Sequence, residues 1–118
     1  MHAVIKYIHS PDVEDFSTYL PEDTERFYFL LQIMVGPNNQ EGEETFDIEV
    51  VTPKYLLEKY DENEILIGRH RLIVFRYDWN RIMRTINRYC ESCSGETWDE
   101  IAEKVGRLGR WEFEDYVG

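Results

Sequence analysis

Cysteine, proline and glycine are scarce in this chain, and their scarcity argues against several classes of protein. Of its 118 residues, two are cysteine, four are proline and seven are glycine. These low counts argue against a disulfide-stapled secreted scaffold and against a fibrous or low-complexity chain. The longest apolar run, residues 27–35, contains Gln32 and is far shorter than the roughly 20 residues that cross a bilayer. We therefore expect no membrane-spanning segment.

Basic residues are also scarce. Thirteen Lys and Arg stand against 24 Asp and Glu, for a formal net charge of -11. The excess belongs to residues 1–64, which hold 15 acids and four bases, whereas residues 65–118 hold nine of each. Such a chain repels nucleic acid and anionic lipid, so we expect neither as a partner. Two interpretations stay open: the acids keep the protein soluble, or they steer a basic partner.

Length and the N-terminal residues bear on organisation and location. A chain of 118 residues is near the commonest domain size, so we expect one domain over residues 1–118. The opening MHAVIK lacks a basic region followed by an apolar stretch and a small-residue cleavage site. This pattern predicts no signal peptide and a cytoplasmic protein.

The first part of the chain has the patterns of strands. Residues 3–9 are rich in β-branched and aromatic side chains, which favours a strand. Residues 27–35 predict a strand in the middle of the sheet, buried on both faces. Residues 45–50 alternate, which puts one set on each face of a strand: Phe46, Ile48 and Val50 on the apolar face, and Thr45, Asp47 and Glu49 on the other. Residues 72–75 predict a further strand.

The later part changes to helical spacing. Thr52 and Pro53 suit the cap and first position of a short helix that ends at Tyr60. Residues 78–93 repeat apolar side chains at intervals of three and four, which predicts a packed helix, and a capping box at Thr97 begins a second one through Leu108. Strands first and helices last predict an α+β fold, a mainly antiparallel sheet with two C-terminal helices packed on one face.

Two sets of large side chains in the second half of the chain invite a functional interpretation. Arg81, Arg84 and Arg88 share the outer face of the first helix. They could bind phosphate, but we expect them to pair with local acids such as Glu91, or with those of residues 58–64. We expect the three tryptophans to pack in the core or between helices: Trp79, Trp98 and Trp111.

Cys90 and Cys93 form a C-x-x-C pair. A zinc site needs two further ligands, and the three histidines, His2, His9 and His70, are scattered. The pair also lies at the C-terminal end of its predicted helix, where the helix dipole opposes a thiolate. We therefore expect two reduced structural cysteines, with no metal and no cofactor.

Signatures of catalysis are missing from the sequence. It contains no G-x-S-x-G elbow, no phosphate-binding loop and no G-x-G-x-x-G. Acid pairs such as Glu43 and Glu44 arise by chance in so acidic a chain. The prediction is that the protein is not an enzyme, although a site assembled from scattered residues remains open.

Six runs of the chain carry a resemblance to a known family: IKYIHSP (5–11), FLLQIMVG (29–36), EETFDIEV (43–50), TPKYL (52–56), GRH (68–70) and WEFEDY (111–116). Together they resemble the eighth immunity-protein family of bacterial polymorphic toxin and contact-dependent inhibition systems. The resemblance implies a small cytoplasmic α+β protein that binds the C-terminal effector domain of a toxin and blocks it. Many such toxins act on nucleic acid, and we expect a basic partner.

The acids around the second strand are the candidate toxin-binding residues: Glu41, Glu43, Glu44, Asp47 and Glu49. Asp47 and Glu49 lie on the same side of a strand, roughly 7 Å apart, next to the acidic turn. The alternative is a solvated sheet face, in which case the acids of residues 12–25 are the next candidates. A cytoplasmic adaptor or scaffold without a toxin is the alternative function.

Overall fold

A computed structural model describes residues 1–115, so Tyr116, the last residue of the WEFEDY run, and the two residues after it lie outside the described part. Eight elements follow one another along it: β1 (Ala3–His9), β2 (Tyr28–Pro37), β3 (Glu44–Val51), α1 (Pro53–Lys59), β4 (Arg71–Ile73), α2 (Trp79–Ser92), α3 (Trp98–Val105) and β5 (Arg110–Trp111).

The five strands form one mixed sheet. Its order is β1-β2-β3-β4, and the short β5 pairs with the beginning of β3. The β1–β2, β2–β3 and β3–β5 pairs are antiparallel, but β4 runs parallel to β3, with Glu49 opposite Arg71 and Val51 opposite Ile73. The predicted mainly antiparallel sheet is therefore corrected to a mixed one.

The connection between β3 and β4 accounts for the parallel pair. Parallel neighbours need a crossover of about a dozen residues or more, usually including a helix. Residues 52–70 supply it, with α1 and the loop that follows it. The strand itself is also shorter than predicted and begins earlier, at Arg71.

β2 is central, between β1 and β3, as predicted. Its inward side chains are fully buried, whereas those that point the other way are half-buried, among them Leu30, Gln32 and Met34. Burial on both faces is therefore wrong, because α2 and α3 pack on one face of the sheet only. The alternation in β3 is confirmed: Phe46, Ile48 and Val50 are fully buried.

The helices begin within one residue of the predicted positions, and each has a side-chain cap. The side chains of Thr52, Asp78 and Thr97 accept hydrogen bonds from the backbone N–H three residues on, at 3.1–3.3 Å. α2 and α3 bury their apolar stripes against the inward side chains of β2 and β3: Ile82, Ile86, Cys90, Ile101, Ala102 and Val105. α3 ends at Val105, one turn before the predicted Leu108. α1 buries no side chain completely.

The tryptophans pack as predicted, each half-buried against the core. The ring of Trp79 stacks on Phe16 with centroids 4.1 Å apart. Trp111 lies parallel to Phe46, with ring centroids 6.3 Å apart.

None of the helices in residues 1–115 combines the length and the apolar character that a membrane crossing requires.

Candidate interaction surface

α2 and α3 leave the opposite face of the sheet open. It presents alternate residues of β2 and β3, which are half-buried rather than buried. At one end, the Tyr55 ring of α1 stacks on Tyr28, with centroids 5.5 Å apart. We call this surface the outer face of the sheet, and it carries Asp47 and Glu49.

Cross-strand rows on the outer face mix acids, bases and apolar groups. Leu30, Glu49 and Arg71 lie opposite one another on β2, β3 and β4. Gln32 and Asp47 form the next row, continued by Arg110 on β5. Opposite charges directly across a sheet stabilise the pairing modestly. Glu49 and Asp47 of β3 therefore lie opposite basic residues of the neighbouring strands, and the outer face is not uniformly acidic.

Glu49 has two partners within the chain. Its Oε1 accepts a hydrogen bond from the Tyr28 hydroxyl at 3.1 Å, and its Oε2 lies 3.4 Å from Arg71 Nε. Burial, followed by the charge of Glu49, raises the pKa of Tyr28 to about 12. Glu49 is therefore held in a defined orientation on the outer face.

Asp47 is more open. Its Oδ1 accepts a hydrogen bond from the Gln32 amide at 3.1 Å. The two residues lie in the wall of a cavity of about 420 Å³, which β5 and the residues after it complete with Arg110, Trp111, Glu112 and Glu114. The cavity is polar and open to solvent, which suits contact with a charged side chain of a partner.

Glu44 has a structural position that its sequence pattern did not indicate. It is half-buried, and its Oε1 accepts hydrogen bonds from the indole N–H of Trp98 and from that of Trp111, the latter at 3.3 Å. Glu44 thereby links β3 to α3 and β5. Glu41 and Glu43 are exposed to solvent in the β2–β3 turn.

The structure therefore divides the five predicted acids into three groups. Glu41 and Glu43 are exposed on a turn, Asp47 and Glu49 lie on the outer face, and Glu44 is committed to two tryptophans. The separation arises because Glu44 is the first residue of β3, where the C-terminal elements pack.

One surface feature was missed by sequence reasoning. Leu57, Ile65 and Ile67 lie on or after α1 and are almost fully exposed. The signal in the sequence was the apolar run at residues 65–67, which directly follows the polar residues 61–64 and fits neither helical nor strand spacing. Exposed apolar side chains that lie close together mark interaction sites more often than single ones do.

The arginine stripe on α2 forms one ion pair with a local acid. Arg81 lies 3.9 Å from Asp78, in agreement with the expected pairing with local acids. No ion pair of Arg84 or Arg88 occurs within residues 1–115, so the expected pairing with Glu91 or with residues 58–64 is wrong. All three arginines are exposed to solvent.

The cysteines have the surroundings of structural residues. Both are free and buried. Burial raises the pKa of Cys90 to about 12 and raises that of Cys93 as well. The Cys93 thiol donates to the carbonyl of Tyr89 at 3.3 Å. Across residues 1–115, His, Cys, Asp and Glu side chains form no group of three or more that suits a metal ion.

A second cavity, of about 500 Å³, lies between the strand β4 and α2. It is mostly apolar, and its one carboxylate, Asp78, accepts the backbone N–H of Arg81 as the cap of α2. The cavity thus contains no pair of acid and base side chains of the kind that general acid–base catalysis uses.

Comparison with known proteins gives one match. No curated protein and no solved structure is significantly similar to the chain. The family described as Immunity protein 8 matches residues 3–116, nearly the whole sequence, in agreement with the resemblance of the six runs described above. The chain therefore belongs to the Immunity protein 8 family.

Proposed function

We propose that this protein binds the C-terminal effector domain of a toxin encoded beside it and neutralises that domain by covering its active site or substrate cleft. The observation that carries the proposal is the family match over residues 3–116. The protein acts in the cytoplasm, where the toxin domain would otherwise reach its target. It inhibits the toxin domain by blocking that site, and it uses neither catalysis nor a cofactor.

The charge of the chain favours a toxin domain that acts on nucleic acid. A nuclease needs a cationic cleft to hold a phosphate backbone. A protein with a formal net charge of -11 is attracted to such a cleft. Complementary charge can raise the association rate to about 10⁸–10⁹ M⁻¹s⁻¹ at low salt. Fast capture matters because one free toxin molecule turns over many substrates.

We assign the toxin-facing surface to the outer face of the sheet and the turn beside it. Glu41, Glu43, Asp47 and Glu49 supply its charge, and Glu44 supports it from below through the two indoles. Arg71 and Tyr28 hold Glu49 in a fixed orientation on β3, so its carboxylate is already positioned for a partner. A fixed strand also loses less conformational entropy on binding than a flexible tail.

The experiment is a protection and binding assay with the neighbouring gene. The C-terminal domain of the large protein encoded beside this chain is expressed with and without it in a sensitive bacterium, and the purified pair is tested for a complex. Growth only in the presence of this chain, with a 1:1 complex in solution, supports the proposal. Equal toxicity in both strains, or no complex, contradicts it.

A further inference from the structure

Three apolar side chains on α1 and in the loop after it are exposed to solvent. Leu57 is 79% exposed, Ile65 is 94% exposed and Ile67 is 82% exposed. A single exposed leucine or isoleucine is ordinary. Three of them lie within one stretch of eleven residues, the 57–67 segment, and the rest of residues 1–115 leaves each of them largely uncovered.

The part of the 57–67 segment before Ile65 is shaped by its own hydrogen bonds. The Tyr60 N–H donates to the Leu56 carbonyl at 3.1 Å and ends α1. A turn follows, in which the Glu64 N–H donates to the Asp61 carbonyl at 3.0 Å and the Asn63 N–H donates to Asp61 Oδ1 at 2.7 Å. A segment that is already ordered loses less conformational entropy when a partner covers it.

Acids lie between Leu57 and Ile65 in the same segment. Glu58, Asp61, Glu62 and Glu64 lie in the segment with one base, Lys59. Glu58 pairs with Arg26, whereas the side chains of the other three acids have no cationic partner in the described chain. An apolar centre with a charged rim is the general form of a protein–protein interface.

The negative charge of this rim indicates which kind of partner covers the segment. A second copy of the chain would place Asp61, Glu62 and Glu64 of both copies together, and like charges that face each other across an interface repel strongly. A basic protein surface with an apolar pocket would instead bury the isoleucines and form ion pairs with the acids. The rim therefore favours a basic partner over self-association.

Residues on either side of the 57–67 segment connect it to Glu49 on the outer face of the sheet. Before it, Tyr55 stacks on Tyr28, whose hydroxyl donates to Glu49. After it, Arg71 pairs with Glu49 and donates its backbone N–H to the Gly68 carbonyl at 3.3 Å. One partner that covers Glu49 therefore has the segment within reach.

We propose that the 57–67 segment is the apolar anchor of the toxin interface, inserting Ile65 and Ile67 into a pocket of the basic toxin domain. This inference rests on the proposed function and names the surface that holds the complex together. Asp47 and Glu49 accelerate the encounter, whereas the isoleucines slow dissociation, since burial of apolar side chains contributes little until the surfaces meet.

The test measures association and dissociation rates with the purified C-terminal domain of the neighbouring toxin gene. The variant is Ile65→Ser with Ile67→Ser, and the matched control is Phe75→Ser, which removes a side chain that is 75% exposed in the cavity between β4 and α2. We expect the double variant to dissociate about a hundredfold faster, with the same dependence of association on salt. The control should match the wild type, and all three proteins should unfold at the same temperature.

Two results would overturn the inference. If the wild type binds and the double variant dissociates at the wild-type rate, the segment is outside the interface, while the proposed function stands. If the wild type alone is a dimer by analytical ultracentrifugation and the double variant is a monomer, the occupant is a second copy. A wild type that fails to bind the toxin domain at all contradicts the proposed function itself.

Discussion

Trp98 donates its indole N–H to Glu44, a hydrogen bond between the first turn of α3 and the first residue of β3. Trp111 donates to the same carboxylate oxygen at 3.3 Å. A half-buried carboxylate thus satisfies two indoles from the C-terminal part of the chain. The arrangement fixes how α3 and β5 dock on the sheet.

Loss of this acceptor should destabilise the fold. We expect Glu44→Ala to lower the free energy of unfolding by about 1–3 kcal/mol, because two half-buried N–H groups lose their partner. Glu44→Gln keeps an acceptor oxygen and should cost less. Glu43→Ala, one residue away at an exposed position, should change stability by less than about 0.5 kcal/mol. Urea unfolding of the three variants measures these changes in the free energy of unfolding. Equal losses for Glu43→Ala and Glu44→Ala would contradict the structural role of Glu44.

Trp98 also contributes through its ring, which packs against the hydrophobic core. Trp98→Ala should cost about 3–5 kcal/mol, because it leaves a cavity and removes the indole donor. Trp98→Phe keeps part of the ring contact and should cost less. The same urea measurement applies. A loss below about 1 kcal/mol for the alanine variant would mean that the ring contributes little to packing.

The two cysteines should be dispensable for binding. Replacing Cys90 and Cys93 by Ser should cost about 1–2 kcal/mol through lost burial and leave affinity for the toxin domain unchanged. Metal analysis of protein purified without chelator is an independent check. A stoichiometric zinc ion, or a folded variant that no longer binds, would assign the pair a metal or redox role.

The thiols should make stability fall in alkaline solution. Burial raises the pKa of Cys90 to about 12, whereas an unfolded cysteine titrates near pH 8.5. The folded state therefore favours the protonated thiol. The resulting stabilisation is complete below about pH 8.5 and is lost as the pH rises toward 12. Urea midpoints between about pH 7.5 and about pH 10.5 should fall less for the Cys90→Ala, Cys93→Ala variant than for the wild type.

The charge of the outer face should set the association rate. Asp47→Lys with Glu49→Gln is preferable to two lysines, because a lysine at 49 would lie beside Arg71 and leave the Tyr28 hydroxyl without its acceptor. We expect slower association with the toxin domain and a weaker dependence of the rate on salt, with a smaller change in dissociation.

A matched control has the same charge change on another surface. Asp99→Lys with Glu103→Gln alters two exposed acids of α3. Association rates are compared at low and high ionic strength. If both pairs slow association equally, only net charge matters. If neither does, the toxin-facing acids lie elsewhere, with residues 12–25 the next to test.

The local features of the fold were readable from the sequence because each depends on residues close together in the chain. Caps at Thr52, Asp78 and Thr97 act over three residues, and the alternation of Phe46, Ile48 and Val50 follows from the pleat of a strand. These elements form where they were predicted, within a few residues. The family resemblance, carried by six runs spread over the chain, is confirmed in the same way.

Only the tertiary structure decided what depends on distant parts of the chain meeting. The parallel direction of β4 follows from the path through α1, and the half-open face of β2 follows from both later helices packing on its other side. Glu44 has the same local pattern as Glu43, but its neighbours Trp98 and Trp111 come from 54 and 67 residues away. Sequence periodicity determines which side of a strand or helix is apolar; which acids are used inside the fold, and which are left for a partner, depends on contacts that no local pattern contains.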